Sequence, residues 1–430
     1  MKYTLAILAM TILCLPVRAD EPFEHPPINY GKAERKDPIT LLQQKLDSGK
    51  AKLKYDDKTG YLKAVLDALK IPVSSQMLVH SKTSFQLRRI SPSTPRAVYF
   101  SDDMYVGWVQ NGDVVEISSV DPNMGSMFYA LEQKRVNKPK FTRMTHRCFQ
   151  CHASSMTQGV PGHLVRSVYT DEQGFPVFKA GTFRIDQTSP FSQRWGGWYV
   201  TGTHGKQRHL GNVLVSDPDN AEDVDTERGA NVTDLRRFIN TRPYLSPHSD
   251  IVALMVMEHQ ATMHNLITHA NYQTRFALRD HAIISKALGE DPSELSPSTK
   301  RRIASASNRL IAYMLFSEEA PLKGKITGTS GFATEFTARG LRDKQGRSLR
   351  EFDMETRMFR YPCSYLIHSD AFAALPAESK NYIYQRLWEI LTAKKAPEGF
   401  EHLSDDDRGN IRQILIDTLP NLPAYWKSRA

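Results

Sequence analysis

The chain has 430 residues, 24% of them charged, and a formal net charge of +9. This length predicts two or three folding units with a sizeable core, and the sequence contains neither an internal repeat nor a low-complexity tract. Its four cysteines are too few for the disulfide framework of a small secreted scaffold.

The first nineteen residues have the organisation of an export signal. A short basic start, Met1–Tyr3, precedes the apolar run Thr4–Leu15, and Val17–Ala19 supplies small residues for a cleavage site before Asp20. The run is shorter than the about 20 residues that cross a bilayer, which favours a cleaved signal peptide (residues 1–19) over an uncleaved anchor. No later segment is apolar for long enough to cross a membrane. We expect the mature protein to be periplasmic or secreted.

Residues 20–75 are predicted to form a short helical segment, because apolar residues recur at helical spacing over 38–71. The period then changes, and residues 76–215 form a β-rich region of apolar runs separated by turn residues. The clearest runs are 97–100, 105–109, 114–117 and 127–130. Asn111-Gly112 stands between two of them and predicts a hairpin. We therefore expect an antiparallel sheet here.

The β-rich region carries the pentapeptide Cys148-Phe149-Gln150-Cys151-His152. Two thiols at this spacing can each add to a vinyl group of haem, and the adjacent histidine then binds the iron, so the motif predicts one covalent haem c. A redox dithiol would leave His152 without a role, and a zinc site would need a second pair of ligands, which is not evident. Cys363 is flanked by apolar residues and is predicted to be a buried structural thiol rather than an iron ligand.

At Cys148, Cys151 and His152, together with the export signal, the chain resembles monohaem c-type cytochromes. The resemblance implies thioether links from both cysteines and axial ligation of the iron by His152. It does not extend to the small soluble class, in which the motif lies near the start of a short helical domain. The stretches 161–167 and 361–366 are similar to large exported bacterial cytochrome c-like proteins of uncharacterised role, and this similarity implies no reaction.

Charge is distributed unevenly around the motif. Basic residues without an acidic neighbour lead up to Cys148: Lys134, Arg135, Lys138, Lys140, Arg143 and Arg147. Such a surface would steer an acidic extracytoplasmic redox partner; the alternative is a solvated loop that also neutralises the haem propionates. Nucleic-acid binding is not expected, because no fold motif for it occurs and it would be an unusual task for an exported haem protein. Acidic residues gather over 216–230, which is predicted to be a surface linker.

Residues 231–430 are predicted to be mostly helical. The expected helices cover 232–240, 247–288 and 298–318, a segment that begins after Pro376, and a last segment that Ser404 caps. The predicted fold class is therefore α+β, with a β-rich haem-bearing N-terminal region followed by a mostly helical C-terminal domain.

The sixth iron ligand decides between an electron carrier and an enzyme, because an empty position admits peroxide or another small molecule. We select His264 as the distal candidate, slightly ahead of His259, because a second domain could close over the haem there. The other candidates are Met156, His163, His204, His209, Met255, Met263 and His269. Residues proposed to surround the porphyrin and its propionates are Trp195, Trp198, Tyr199, Arg166, Arg184 and Arg194.

The favoured hypothesis is an exported monohaem c-type cytochrome that moves single electrons for a redox partner. The alternative is a haem enzyme, a peroxidase or a small-molecule oxidoreductase, with an open distal iron site. The length of the chain favours the alternative, because pure carriers rarely need so many residues, and no nucleotide-binding or hydrolase motif occurs. A haem-based sensor is a third possibility that no sequence feature supports.

Overall fold

The computed structural model describes residues 21–221 and 223–427, without the side chains of His146 and Arg147. The predicted signal peptide lies outside the described residues. The predicted fold class, α+β, is confirmed: an antiparallel sheet in the N-terminal half precedes a helical C-terminal half. Within the described ranges, the structure contains no helix that combines the length and the apolar character of a membrane span.

Two short helices precede the sheet, as predicted. They are α1 (Pro38–Asp47) and α2 (Leu62–Leu69). Asp37 caps α1 by accepting hydrogen bonds from the amides of Ile39 and Thr40. Its carboxylate also accepts a hydrogen bond from the Tyr129 hydroxyl, which ties the helix to the sheet.

The main sheet of the described residues has seven antiparallel strands in the order β6-β5-β4-β3-β2-β1-β9. Its strands are β1 (Met77–Val79), β2 (Arg96–Phe100), β3 (Met104–Trp108), β4 (Val114–Asp121), β5 (Gly125–Glu132), β6 (Phe141–Arg143) and β9 (Trp198–Tyr199). A separate pair is formed by β7 (Arg166–Val168) and β8 (Thr182–Arg184). The hairpin predicted at Asn111-Gly112 joins β3 to β4.

Both faces of the sheet are covered by other parts of the chain. This explains why its strands carry apolar residues on both faces. Tyr99, Val106 and Ile117 face the N-terminal segment and belong to one apolar cluster with it. Val98 and Tyr105 belong to a second cluster, which continues through the C-terminal helices. The β-rich and helical parts therefore share a hydrophobic core.

The centre of that core is a single long helix, α4 (Ile251–Leu288), which Asp250 caps. Its first half is buried because it lies between the sheet and the remaining helices. Those helices are α5 (Pro297–Met314), α6 (Phe332–Ala338), α7 (Asp370–Ala373), α8 (Ala377–Thr392) and α9 (Asp405–Thr418). Ser404 caps α9, as predicted, and forms a capping box with Asp407.

Two predicted helices were wrong in extent. The segment 232–240 forms one 3-10 turn, Leu235–Arg237, because Asp234 accepts hydrogen bonds from the amide and the guanidinium of Arg236 and so closes a local turn. The helix predicted over 298–318 ends at Met314, because Phe316 has a φ of 60° and leaves the right-handed helical region.

Candidate haem-binding site

The CxxCH residues form a short helix, α3 (His146–His152), which follows the edge strand β6. Within the motif, Phe149 anchors this helix, because its ring packs against Phe23 at 5.7 Å and against Tyr30 at 5.3 Å between ring centres. Cys151 is exposed, Cys148 is half-buried, and both thiols are free. The motif therefore holds itself in place through its apolar residue and leaves both sulfur atoms available.

His152 is held in one orientation by the chain that follows it. Its Nδ1 atom lies 2.9 Å from the carbonyl oxygen of Gly162. Because a carbonyl only accepts, Nδ1 must carry the proton and Nε2 must hold the lone pair. Nε2 makes no hydrogen bond within the described part of the chain. Burial lowers the pKa of His152, so the neutral ring is favoured, which is the form that binds a metal.

The segment Pro161–His163, here called the support segment, lies between the sheet and α4. Its Pro161 carbonyl accepts from the Ser126 amide at 3.1 Å. The His163 ring bonds to the hydroxyls of Ser118 at 2.7 Å and Ser126 at 3.0 Å. The sheet thus positions the carbonyl that orients His152.

The sheet also forms a wall beside His152. Phe128 on β5 packs against the imidazole at 5.0 Å between ring centres. On the same face Arg96 pairs with Glu116, at 2.9 Å between Nη2 and Oε2. The Arg96 side chain crosses Gly107, where a Cβ atom would lie within 2.4 Å of Nη2. Gly107 therefore leaves the space in which the Arg96 side chain crosses the sheet to reach Glu116.

The Arg96–Glu116 pair was missed by the sequence analysis. Its signal was present, because Glu116 and Ser118 alternate with Val115 and Ile117 along β4 and so put polar atoms on the opposite face of the strand. The Nε atom of Arg96 is buried and has no hydrogen-bond partner among the described residues. This donor is available to a ligand on that face.

The thiol chemistry of Cys148 does not resemble that of a redox dithiol. Burial raises the pKa of Cys148 to about 11, and Glu116 adds to the effect. A nucleophilic dithiol needs a lowered pKa, because the thiolate is the reactive form. In the described residues no group of three or more His, Cys, Asp or Glu side chains is arranged to hold a metal ion. An axial haem iron needs only one of them.

The distal candidate His264 lies on α4 and points back to the sheet. Its Nε2 atom donates to the Asp102 carbonyl at 2.8 Å. Its Nδ1 atom is buried and has no hydrogen-bond partner in the described ranges. The ring centre lies 6.1 Å from that of His163, which in turn lies 6.4 Å from Phe128. Ring contacts thus run from His264 through His163 and Phe128 to His152.

The other distal candidates have different surroundings. His259 uses both ring nitrogens, one with Gln187 and one with Ser364, and stacks on Phe316. The His204 and His209 rings pack against each other at 4.7 Å and against Phe191. These three histidines therefore complete buried clusters of their own.

The residues proposed for the porphyrin and propionates are separated by the fold. Arg194 is buried, forms an ion pair with Glu258 and donates to backbone carbonyls, so its charge is already used. Trp195 donates from Nε1 to the same Glu258. Arg184 instead donates to the Met156 carbonyl, just beyond the CxxCH helix, at 3.1 Å. Among these arginines, Arg184 is the one whose contact lies beside the motif.

Cys363 is fully buried, as predicted, and burial raises its pKa to about 12. A thiol of this kind stays protonated and packs as an apolar group.

Comparison of the chain with family models, curated proteins and solved structures returned no significant match. The functional assignment therefore rests on the residues and their geometry.

Proposed function

We propose that this protein is an exported monohaem c-type cytochrome. In this proposal Cys148 and Cys151 hold one haem c through thioether links, His152 binds the iron, and the protein transfers single electrons. The observation that carries the proposal is the hydrogen bond from Nδ1 of His152 to the Gly162 carbonyl. Histidines that bind metals typically donate their second ring N–H in this way.

The chain's own residues are suited to the group. Haem c supplies a one-electron iron couple. The exposed Cys151 and half-buried Cys148 carry free thiols on one short helix. Nε2 of His152 keeps its lone pair, and Phe128 covers one side of the ring. The free Nε donor of Arg96 can satisfy an anionic or polar group on the sheet face.

The partner proposed for this cytochrome is an acidic extracytoplasmic redox protein. Lys134, Lys138 and Lys140 are exposed on the segment between β5 and β6, close in sequence to the CxxCH helix. A cluster of one sign raises the rate of encounter with the opposite sign, and salt reduces the effect.

Exchanging these three lysines for glutamate tests the steering. Ferricyanide, a small anionic oxidant, is the probe. We expect the triple variant to oxidise about tenfold more slowly at low ionic strength, and the difference to shrink as salt is added. Stopped-flow absorbance of the haem measures the rate.

The matched control replaces Lys286, Lys300 and Lys323, which are also exposed but belong to the helical half. It changes the net charge equally. Equal slowing by both triple variants would contradict a local steering surface and leave only the effect of total charge.

A haem enzyme with an open distal site is the second candidate function. It is favoured by the Arg96–Glu116 pair, since beside a haem an arginine can polarise a bound ligand and a carboxylate can accept a proton from it. In the carrier both axial positions are filled by the protein, whereas in the enzyme one is open.

The experiment that tests the proposal uses the full chain expressed with its export signal and purified with its cofactor. Haem retained by the polypeptide under denaturing conditions supports covalent attachment, and its loss contradicts the proposal. EPR and optical spectra then distinguish the two functions. A six-coordinate low-spin iron supports the carrier, and a high-spin iron that reacts with peroxide supports the enzyme.

His264 is proposed as the sixth ligand, because its buried Nδ1 has no hydrogen-bond partner among the described residues. Replacing His264 by alanine is expected to convert a low-spin iron into a high-spin one, since the ligand is lost. Optical and EPR spectra check the change. The control is His281→Ala, a buried histidine further along α4 that bonds to Ser285. A low-spin spectrum retained by the His264 variant would exclude this ligand.

A further inference from the structure

Asn265 on α4 binds the support segment through its whole amide group. Its Oδ1 accepts from the His163 amide at 2.8 Å, and its Nδ2 donates to the His163 carbonyl at 2.7 Å. Asn265 is 3% exposed, so both bonds are made away from water. A side chain that pairs with both polar backbone groups of one residue fixes that residue like a neighbouring strand.

Asn265 also presses directly on Gly162. A Cβ atom added to this glycine would lie 2.2 Å from Oδ1 of Asn265 and 3.1 Å from Cβ of Thr157. The glycine therefore allows the segment to approach α4 closely. On its other side the segment is held by Ser126, whose amide donates to the Pro161 carbonyl. The peptide groups of the support segment cannot rotate without breaking one of these contacts.

Those peptide groups are the partners of His152. The Gly162 carbonyl accepts from Nδ1, and the Gly162 amide donates to the His152 carbonyl at 2.8 Å. Two bonds thus tie one glycine to both the ring and the backbone of the histidine. Any shift of Gly162 must turn the imidazole or weaken its hydrogen bond.

We infer that Asn265 is a positioning residue for the axial histidine: through Gly162 it sets the rotation of the His152 ring and so tunes the haem iron. The inference rests on the proposed function, since it concerns the same site. It links α4 in the helical half to a ligand on the CxxCH helix. Partners behind a metal ligand alter the electronic properties of the metal without touching it.

The test replaces Asn265 by alanine in the full exported chain. We expect the covalent haem content per chain to stay at the parental level, because both thiols remain. The EPR g values and the reduction potential are expected to shift, because the imidazole can turn. A folded variant with haem attached and with parental g values and potential would overturn the inference.

Asn271→Ala is the matched control. It removes another buried asparagine of α4, whose Nδ2 contacts the Ala374 carbonyl at 3.4 Å and not the support segment. Its g values and potential are expected to match the parent; a shift equal to that of the Asn265 variant would contradict a specific role. If Asn265→Ala does not fold, Asn265→Asp carries the test. It keeps an acceptor for the His163 amide but loses the donor, and parental g values in it would overturn the inference.

These outcomes separate the two claims. A parent chain without covalent haem contradicts the proposed function itself. A parent chain with haem, and an Asn265 variant indistinguishable from it, contradicts only the positioning role.

Discussion

Replacing Cys148 and Cys151 together by alanine is expected to abolish covalent haem attachment. Thioether bonds need both sulfur atoms, and the free thiols of α3 lie on the same short helix as His152, the proposed axial ligand. A haem held only through His152 dissociates when the chain unfolds. Haem staining after denaturing electrophoresis therefore should fall from about one haem per chain to background, as the attachment chemistry of this motif requires.

Cys363→Ala provides the control for that experiment. This thiol is fully buried and lies outside the motif, so its removal should leave haem content unchanged. Undiminished haem in the double variant would show that the cysteines of α3 do not attach the group. Loss of haem in the Cys363 variant, in a chain that still folds, would give that cysteine a role that we do not assign to it.

The second large effect is expected at the buried ion pair between Arg194, in the β-rich region, and Glu258 on α4. Arg194 and Glu258 are 3% and 0% exposed, with 3.2 Å between Nη1 and Oε2. Replacing Arg194 by methionine leaves Glu258 buried without its cation, and an unpaired buried charge typically costs about 3–5 kcal/mol of the free energy of unfolding, so the full loss is expected above pH 7. Denaturant unfolding followed by circular dichroism measures the loss.

The loss should depend on pH in a defined direction. Burial raises the pKa of Glu258 from its ordinary 4.5 to about 7, and Arg194 opposes the rise. A carboxyl group whose folded pKa is raised destabilises the fold progressively as pH increases above its unfolded pKa. Without Arg194 the pKa rises further. Up to about pH 7 Glu258 is protonated in both folded proteins, so the difference in stability between variant and parent should stay constant there and should grow above pH 7.

Two further variants show whether the loss of stability in Arg194→Met comes from the unpaired charge of Glu258. Arg166→Met removes a more exposed guanidinium that donates to the Thr182 hydroxyl at 2.9 Å, and we expect a change within about 0.5 kcal/mol. Adding Glu258→Gln to Arg194→Met removes the unpaired charge while keeping an acceptor for Trp195. We expect the double variant to regain most of the stability. If it remains as unstable as the single variant, the arginine acts through packing and its hydrogen bonds to the Gln187 and Ser189 carbonyls, and not through its pairing with Glu258.

Much of the fold was predictable from local pattern. The helices α1, α2, α4, α8 and α9 and the strands β2 to β5 follow from apolar periodicity and from capping residues such as Ser404. The predicted helix at 232–240 failed because a hydrogen bond from an aspartate side chain competed with the helical backbone. The spacing of apolar residues gives no information about this competing hydrogen bond.

Of the candidate site, the sequence predicts only the chemical centre. Cys148, Cys151 and His152 are neighbours in sequence, so their spacing alone carries the prediction. Asn265 is 113 residues from His152 along the chain. Arg96 and Glu116 lie on different strands. Residues so far apart meet only through the register of the sheet and the packing of α4.

The sequence by itself carries the proposed class of cofactor, because covalent attachment needs a local arrangement of two thiols and an imidazole. The tertiary structure decided how that imidazole is oriented, since the Gly162 carbonyl is fixed by contacts from the sheet and from Asn265. It also decided that Arg194 serves a buried ion pair and that Arg96 faces the site. Attachment is a property of adjacent residues, whereas orientation and charge at a buried site depend on groups that only the folded chain brings together.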